Sequence, residues 1–182
     1  MSEDIDRYER TAAAFDQRVR AVPAGKWDAQ SPCEKWVARD VVGHVVGNHR
    51  YMTAQAMGGE PKEMSADEDP VQAWAEAYDG MHAVAKDRDA LAKEVNGPTG
   101  PVPLEQAMGS FMSMDMHVHT WDLARAVGGD ERLDPEMSIF AMNMLSPVDE
   151  MIRQPNVFGP KLDPPAGADD QTKMLYFLGR KA

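Results

Sequence analysis

The residues of this chain best suited to chemistry lie in Met112-Ser113-Met114-Asp115-Met116-His117-Val118-His119-Thr120-Trp121-Asp122-Leu123-Ala124-Arg125-Ala126. In a helix, residues at i, i+3, i+4 and i+7 share a face, so Phe111, Met112, Asp115, His119, Asp122, Leu123 and Ala126 fall on one otherwise apolar stripe. An ionised carboxylate turned into an apolar core is costly unless it is paired or bound to a metal. His119, one turn after Asp115, supplies a companion. A second piece lies upstream, where Val37, Val41, His44, Val45, Asn48 and Met52 make the inward stripe of another helix and its imidazole points where the aliphatic residues point. If the two helices pack side by side, His44, Asp115 and His119 converge. Two imidazoles and one carboxylate suit zinc first, with nickel or ferrous iron as alternatives, and three protein ligands leave positions open for water or substrate.

Each residue also has a plainer reading. An i, i+4 Asp-His pair is as readily a contact on a helix surface, and a single histidine in a core stripe is ordinarily just a satisfied core residue. The trio therefore stands or falls together. Asp122 shares the inward face and could hold a ligand histidine from behind; a salt bridge with Arg125 or Arg39 that fixes helix packing is the preferred reading. His49, His82 and His117 fall off the inward faces or lack a match, and are expected at the surface or an interface. Trp36 and Trp121 are expected to pack the bundle. Cys33 lies in a breaker segment with no basic neighbour in sequence to favour its thiolate, so a nucleophilic role is not expected. The 14 methionines read as adaptable core filler.

The elements that must position these groups are helical. Ile5, Tyr8, Ala12, Phe15, Val19 and Val22 give a first amphipathic helix, ended by Pro23, Ala24 and Gly25. A second spans roughly Val37 to Met57, stopped by Gly58-Gly59. The polar, acidic stretch from Gly58 to Asp69 is long for a turn between antiparallel neighbours and reads as a crossover between parallel helices. A third helix opens at Pro70 and is expected to reach about Glu94. Asn96 to Pro103 cannot be regular helix, given its glycines and prolines, and reads as a loop with room for an extended piece. The fourth helix, Leu104 to Val127, closes at Gly128-Gly129. Asp134-Pro135-Glu136 opens a fifth, Gln154 to Ala168 is irregular, and Asp169 to Gly179 ends in a short docking helix. No β-period segment stands out, so the class is all-α.

The 182 residues fit one domain, 1–182, with a Pro/Gly-rich tail from about 154. A net charge of -11 argues against nucleic acid or an anionic membrane surface as partner. The single cysteine suits a reducing compartment. The acidic N-terminus does not read as a signal peptide or anchor, and no apolar run is long enough for a membrane helix. A cytoplasmic protein is expected, with a homodimer left open.

The stretch from Ser31 to Gly47 (Ser31-Pro32-Cys33-Glu34-Lys35-Trp36-Val37-Ala38-Arg39-Asp40-Val41-Val42-Gly43-His44-Val45-Val46-Gly47) is followed by His119-Thr120-Trp121-Asp122-Leu123-Ala124-Arg125-Ala126-Val127-Gly128. With Val157-Phe158-Gly159-Pro160 and Phe177-Leu178-Gly179-Arg180, these segments resemble the DinB-like metal-binding proteins. Within them the chain is similar to the branch of the N-terminal domain of mycothiol-dependent maleylpyruvate isomerase. The resemblance implies a four-helix bundle with a long crossover between helices two and three, here with extra C-terminal helices. It also implies a divalent metal held by His44, Asp115 and His119. That branch usually has Glu where this chain has Asp115, which shortens the reach by one methylene. It also carries a C-terminal domain for which this chain has no room, so maleylpyruvate isomerisation itself is not expected.

Three functions follow as expectations. In the first, a metal-dependent transferase or thiol-assisted isomerase uses mycothiol as cosubstrate against a small electrophile. A coordinated thiol loses its proton, which removes the need for a catalytic cysteine. In the second, a metal-dependent hydrolase activates water, with Asp122 as the available base. In the third, the metal is structural and the protein is a non-catalytic interaction module, which a coordinatively closed site would favour.

Overall fold

A computed structural model describes residues 2–98, 100–153 and 158–182. Thr99 of the expected loop, Gln154 at the start of the tail and Val157 of the tail motif lie outside the described residues. The chain divides into two compact units, Met1–Glu131 and Arg132–Ala182. Among the described residues the architecture is helical, with one small hairpin.

In the first unit, α1 spans Glu3–Arg20, α2 Ala38–Met57, α3 Pro70–Val84 and α6 Ser113–Val127. Local chemistry sets their ends. The Ser2 hydroxyl accepts from the Ile5 N–H at the start of α1, and the Asp40 carboxylate accepts from the Val37 N–H at the start of α2. Asp69 caps α3 just before Pro70, and Gly128, at φ 74°, ends α6 in the left-handed conformation that glycine adopts without steric penalty.

Side-chain pairs fix the directions of the helices. His49 meets Trp74 and Thr53 lies beside Gly80, so α2 and α3 run parallel. Glu9 reaches Tyr78 and His82 while Asp16 accepts from Trp74 Nε1, so α1 and α3 are antiparallel. Arg7 bonds the Gly109 carbonyl and Arg18 the Asp130 carbonyl, which sets α1 parallel to α6. The result is an up-down-down-up bundle whose two parallel neighbours need the long crossover 58–69. That crossover is strapped to α2 by Arg50, which pairs with Glu68, and by Arg39, which donates to the Glu68 carbonyl. The core between the helices is built from Tyr8, Phe15, Val41, Val45, Trp74 and Leu123, all fully buried or nearly so.

Three expectations are corrected. The third helix stops at Val84 rather than near Glu94, because the Asp87 carboxylate accepts from the N–H groups of Asp89 and Ala90 and starts a separate turn, α4 (Arg88–Leu91). The expected loop is a hairpin of β1 (Glu94–Gly97) and β2 (Gly100–Pro103), paired from Glu94 with Pro103 to Gly97 with Gly100. Prolines at 101 and 103 conceal a strand that has no further β neighbour among the described residues, which is where proline is tolerated. The fourth helix is interrupted: α5 (Leu104–Ala107) passes through a π turn, Met108–Met112, before α6.

In the second unit, α7 (Pro135–Leu145) begins at an Asp134 cap as expected, followed by a 3-10 turn at Ser146–Val148 and α8 (Asp149–Ile152). The last helix, α9, spans Asp170–Phe177 with Asp169 accepting from the Thr172 N–H. Arg153 ties this unit together through Asp149 and the carbonyls of Gly159 and Phe177. Among the described residues, no helix is long and apolar enough to cross a membrane.

The π turn brings Gly109 against α1, where an added Cβ would collide with the Cα and Cβ of Asp4. Gly109→Ala is therefore expected to destabilise the fold by about 1–3 kcal/mol, the usual range for overpacking. Urea denaturation of the two proteins checks this, with an unchanged midpoint as the contrary result.

Candidate metal centre

The α2–α6 seam is antiparallel: His44 and Asn48 on α2 face Asp115 and His119 on α6 in reversed order. This crossing brings the three residues singled out from the sequence together. His44 Nε2 lies 3.2 Å and His119 Nε2 3.4 Å from the same oxygen, Asp115 Oδ1, and the donor atoms of all three lie within 4.8 Å of one another. Atoms held about 2.0–2.1 Å from one tetrahedral ion stand roughly 3.3–3.4 Å apart. The spacing and the N,N,O donor set therefore fit a divalent cation, and the shorter Asp115 side chain reaches both imidazoles. The His44 and Asp115 side chains are 31% and 26% exposed, so the cluster lies at the edge of the buried face with a side open to solvent.

Neighbouring groups orient the trio. His119 Nδ1 donates to Asp122 Oδ2 at 2.9 Å, which fixes the tautomer and leaves Nε2 turned towards Asp115. Asp122 is completely buried. This contact replaces the preferred salt bridge: Arg125 pairs with Glu131 and stacks on Trp121, while Arg39 donates to the Glu68 carbonyl. Asn48 Nδ2 donates to Asp115 Oδ2 at 3.0 Å, which turns Oδ1 to the imidazoles. The Trp36 ring flanks both, 4.9 Å from the His44 centroid and 5.6 Å from that of His119. Cys33 Sγ lies 3.6 Å from Asp122 Oδ2.

Asn48, Trp36 and Cys33 are the participants that sequence reasoning did not assign to the site. Asn48 carries a signal, one turn after His44 on the same stripe. Trp36 and Cys33 sit in the turn before α2, whose path no periodicity dictates. The other histidines also depart from expectation. His49 and His117 are buried, because α2 and α6 have core on more than one face; only His82, paired with Glu9, is partly exposed. Burial pushes the His49 imidazole down to about 4, so it stays neutral and donates through Nδ1 to the Val45 carbonyl.

The electrostatics of the trio are those of a partly buried ion pair. For Asp115, burial alone would raise the carboxyl, but His119 and then His44 outweigh it and hold it well below the usual carboxylate range. For His119, burial works downward, and Asp115 followed by Asp122 raises it to about 9. A histidine raised above its ordinary 6.5 stabilises the fold fully below that pH, and the contribution is lost as pH rises through about 9. Metal-free protein should accordingly lose stability between pH 6.5 and 9, and Asp115→Asn should flatten that dependence, as read by denaturation midpoints across the range. For Asp122→Asn, which weakens the hold on the His119 tautomer, the expected loss is about 10–100-fold in zinc affinity, measured by competition with a chromophoric chelator.

Over residues 8–124 the sequence matches the family described as the mycothiol maleylpyruvate isomerase N-terminal domain. It is also similar to two uncharacterized proteins of Mycobacterium tuberculosis, MT0763 of strain CDC 1551 / Oshkosh and Rv0738 of strain ATCC 25618 / H37Rv. Each is 29% identical over 133 residues, which make up 72% of this chain and 71% of the relative. No solved structure matches the chain. The matched span contains Cys33, Trp36, His44, Asn48, Asp115, His119 and Asp122, and hence the whole cluster described above. The helical bundle, its crossover and this span together make the chain a member of the mycothiol maleylpyruvate isomerase N-terminal domain family, within the DinB-like branch.

Proposed function

We propose that the chain is a metal-dependent enzyme that joins or rearranges a small electrophile with the help of a low-molecular-weight thiol of the mycothiol type. His44, Asp115 and His119 would hold the divalent cation, zinc ahead of nickel or iron. The observation that carries this reading is the convergence of two imidazole nitrogens on one carboxylate oxygen, at 3.2 and 3.4 Å, on the solvent-facing edge of the bundle. Mycothiol enters through the family's description.

A divalent cation at this position would favour the thiolate form of a thiol that reaches it, at a pH where a free thiol is mostly protonated. The protein's own residues do the rest. Asp122 keeps the His119 proton on Nδ1, Asn48 keeps Asp115 rotated with one oxygen towards the imidazoles, and Trp36 covers one side of both rings and limits the approach of water. The nucleophile then comes from the cosubstrate, and no cysteine of the chain is needed to attack.

The competing readings are less well supported. A hydrolase would need a base facing the open side, and Asp122, the group available for that task, is buried behind His119 and bonded to it. A closed structural site would call for a further protein ligand, whereas two of the three side chains are partly open to solvent.

Purified protein is expected to carry close to one divalent ion per chain by elemental analysis, and His44→Ala or His119→Ala to lose it. Native protein free of metal would end this proposal. In a cobalt-substituted sample, added mycothiol or a simpler thiol should shift the visible ligand-field bands. An unchanged spectrum at saturating thiol would leave the cation without a thiol to bind and remove the transferase reading.

A further inference from the structure

The His119 ring faces different donors on its two nitrogens. Nε2 looks towards Asp115 Oδ1 at 3.4 Å, and Nδ1 bonds Asp122 Oδ2 at 2.9 Å. On this second side, Cys33 Sγ stands 3.6 Å from the same Asp122 oxygen. Cys33, Asp122 and His119 thus form a second triplet whose donor atoms all lie within 4.8 Å of one another, distinct from the first in its sulfur and in the edge of the ring it uses.

From this geometry we infer a second cation position, made by Cys33, Asp122 and His119 Nδ1, that selects thiophilic ions such as Cd²⁺ and excludes occupancy of the His44–Asp115–His119 position. Its exclusivity rests on the metal reading proposed above; its existence does not. Around an ion of zinc size, sulfur at about 2.3 Å and oxygen at about 2.0–2.1 Å stand roughly 3.5–3.6 Å apart, close to the Cys33–Asp122 separation, and the 2.9 Å hydrogen bond from His119 Nδ1 to Asp122 Oδ2 must open to admit the larger Cd²⁺. Thiolate is the softest donor of either triplet, so it draws soft ions to its own side while borderline ions remain with the imidazoles and Asp115.

The sulfur is delivered by a pinned turn. The Cys33 N–H donates to Ser31 Oγ at 3.1 Å, the Cys33 carbonyl accepts from the Trp36 N–H at 2.8 Å, and the Ser31 N–H donates to the Trp36 carbonyl at 3.0 Å. Cys33 is half-buried, so an ion can reach it, and Asp122 behind it is fully buried.

Without an ion the three groups form a hydrogen-bonded chain, with the Cys33 thiol and the His119 Nδ1–H both donating to Asp122. When Cd²⁺ binds, the Cys33 proton and the His119 Nδ1 proton both leave to solvent, and a proton on Nε2 faces Asp115. The lone pair that the first position needs is then gone. One chain holds one ion, at either edge of the ring.

The test is a titration of the metal-free 182-residue chain with Cd²⁺, following sulfur-to-cadmium charge-transfer absorption in the ultraviolet. Cys33 is the single cysteine, so any such band reports it. Wild type should develop the band and saturate near one equivalent. His44→Ala, which loses a donor of the first position only, should keep it. Asp122→Asn should weaken cadmium binding by about tenfold or more, as supporting groups around a metal do. In zinc-loaded wild type, cadmium should displace zinc one for one, with the total remaining at one ion per chain. Absence of the band in folded wild type reduces the triplet to its hydrogen bonds and overturns the inference, as does a band indifferent to Asp122→Asn. Simultaneous retention of zinc and cadmium overturns the exclusivity. If wild type binds no zinc, the proposed function fails while the cadmium band still decides this second position.

Discussion

A carboxylate wedged between two imidazoles in the α2–α6 seam sets the terms for the rest of this protein. Asp115 contributes nothing to a hydrophobic core, and its charge is tolerable only because His44, His119 and Asn48 face it within hydrogen-bonding range. Taking away any one of these partners leaves a partly desolvated charge, and that requirement fixes the rotation of both helices about their axes. The apolar residues on either side, Val41, Val45, Met112 and Leu123, then pack where that rotation puts them.

The bundle topology exists to supply that seam. Because α2 and α3 run parallel, the chain must travel the length of the bundle between them, and the crossover is fastened to α2 by Arg39 and Arg50. α6 returns antiparallel to α2, so His44 meets the Asp115–His119 pair face to face although more than seventy residues separate them in sequence. Asp122, one turn further along α6, ties the turn that precedes α2 to the same helix through Cys33. The fold, the tautomer of His119 and the approach to the site are therefore set by one contiguous group of side chains.

The trio and its two helices were legible in the sequence because each of the three side chains occupies a helical stripe, and periodicity tells which way a helical side chain points. Caps and breakers were legible for the same local reason, as at Asp134-Pro135 and Gly128. What was hidden depends on contacts distant in sequence. Nothing near Cys33 or Trp36 indicates that their turn folds back over α6, and nothing in Asp122 itself chooses between an arginine and the histidine three residues earlier. His49 was misplaced because one apolar stripe was assigned to a helix that is covered on a broader front. The sequence allowed an extended piece here but not its pairing into a hairpin, since prolines argue against strands, an argument that loses force when only one side of a strand must pair.

The π turn between α5 and α6 has a consequence of its own. An extra residue accommodated within a helical run takes up one residue of winding, roughly 100° of rotation, without breaking the chain's path. The hairpin and Leu104 on one side, and the helix that carries Asp115 and His119 on the other, are thereby set to independent angular phases. A change in the length of the connection after α3 would be absorbed at this joint, as a vernier absorbs slack, while the bearing of Asp115 and His119 stays unrotated.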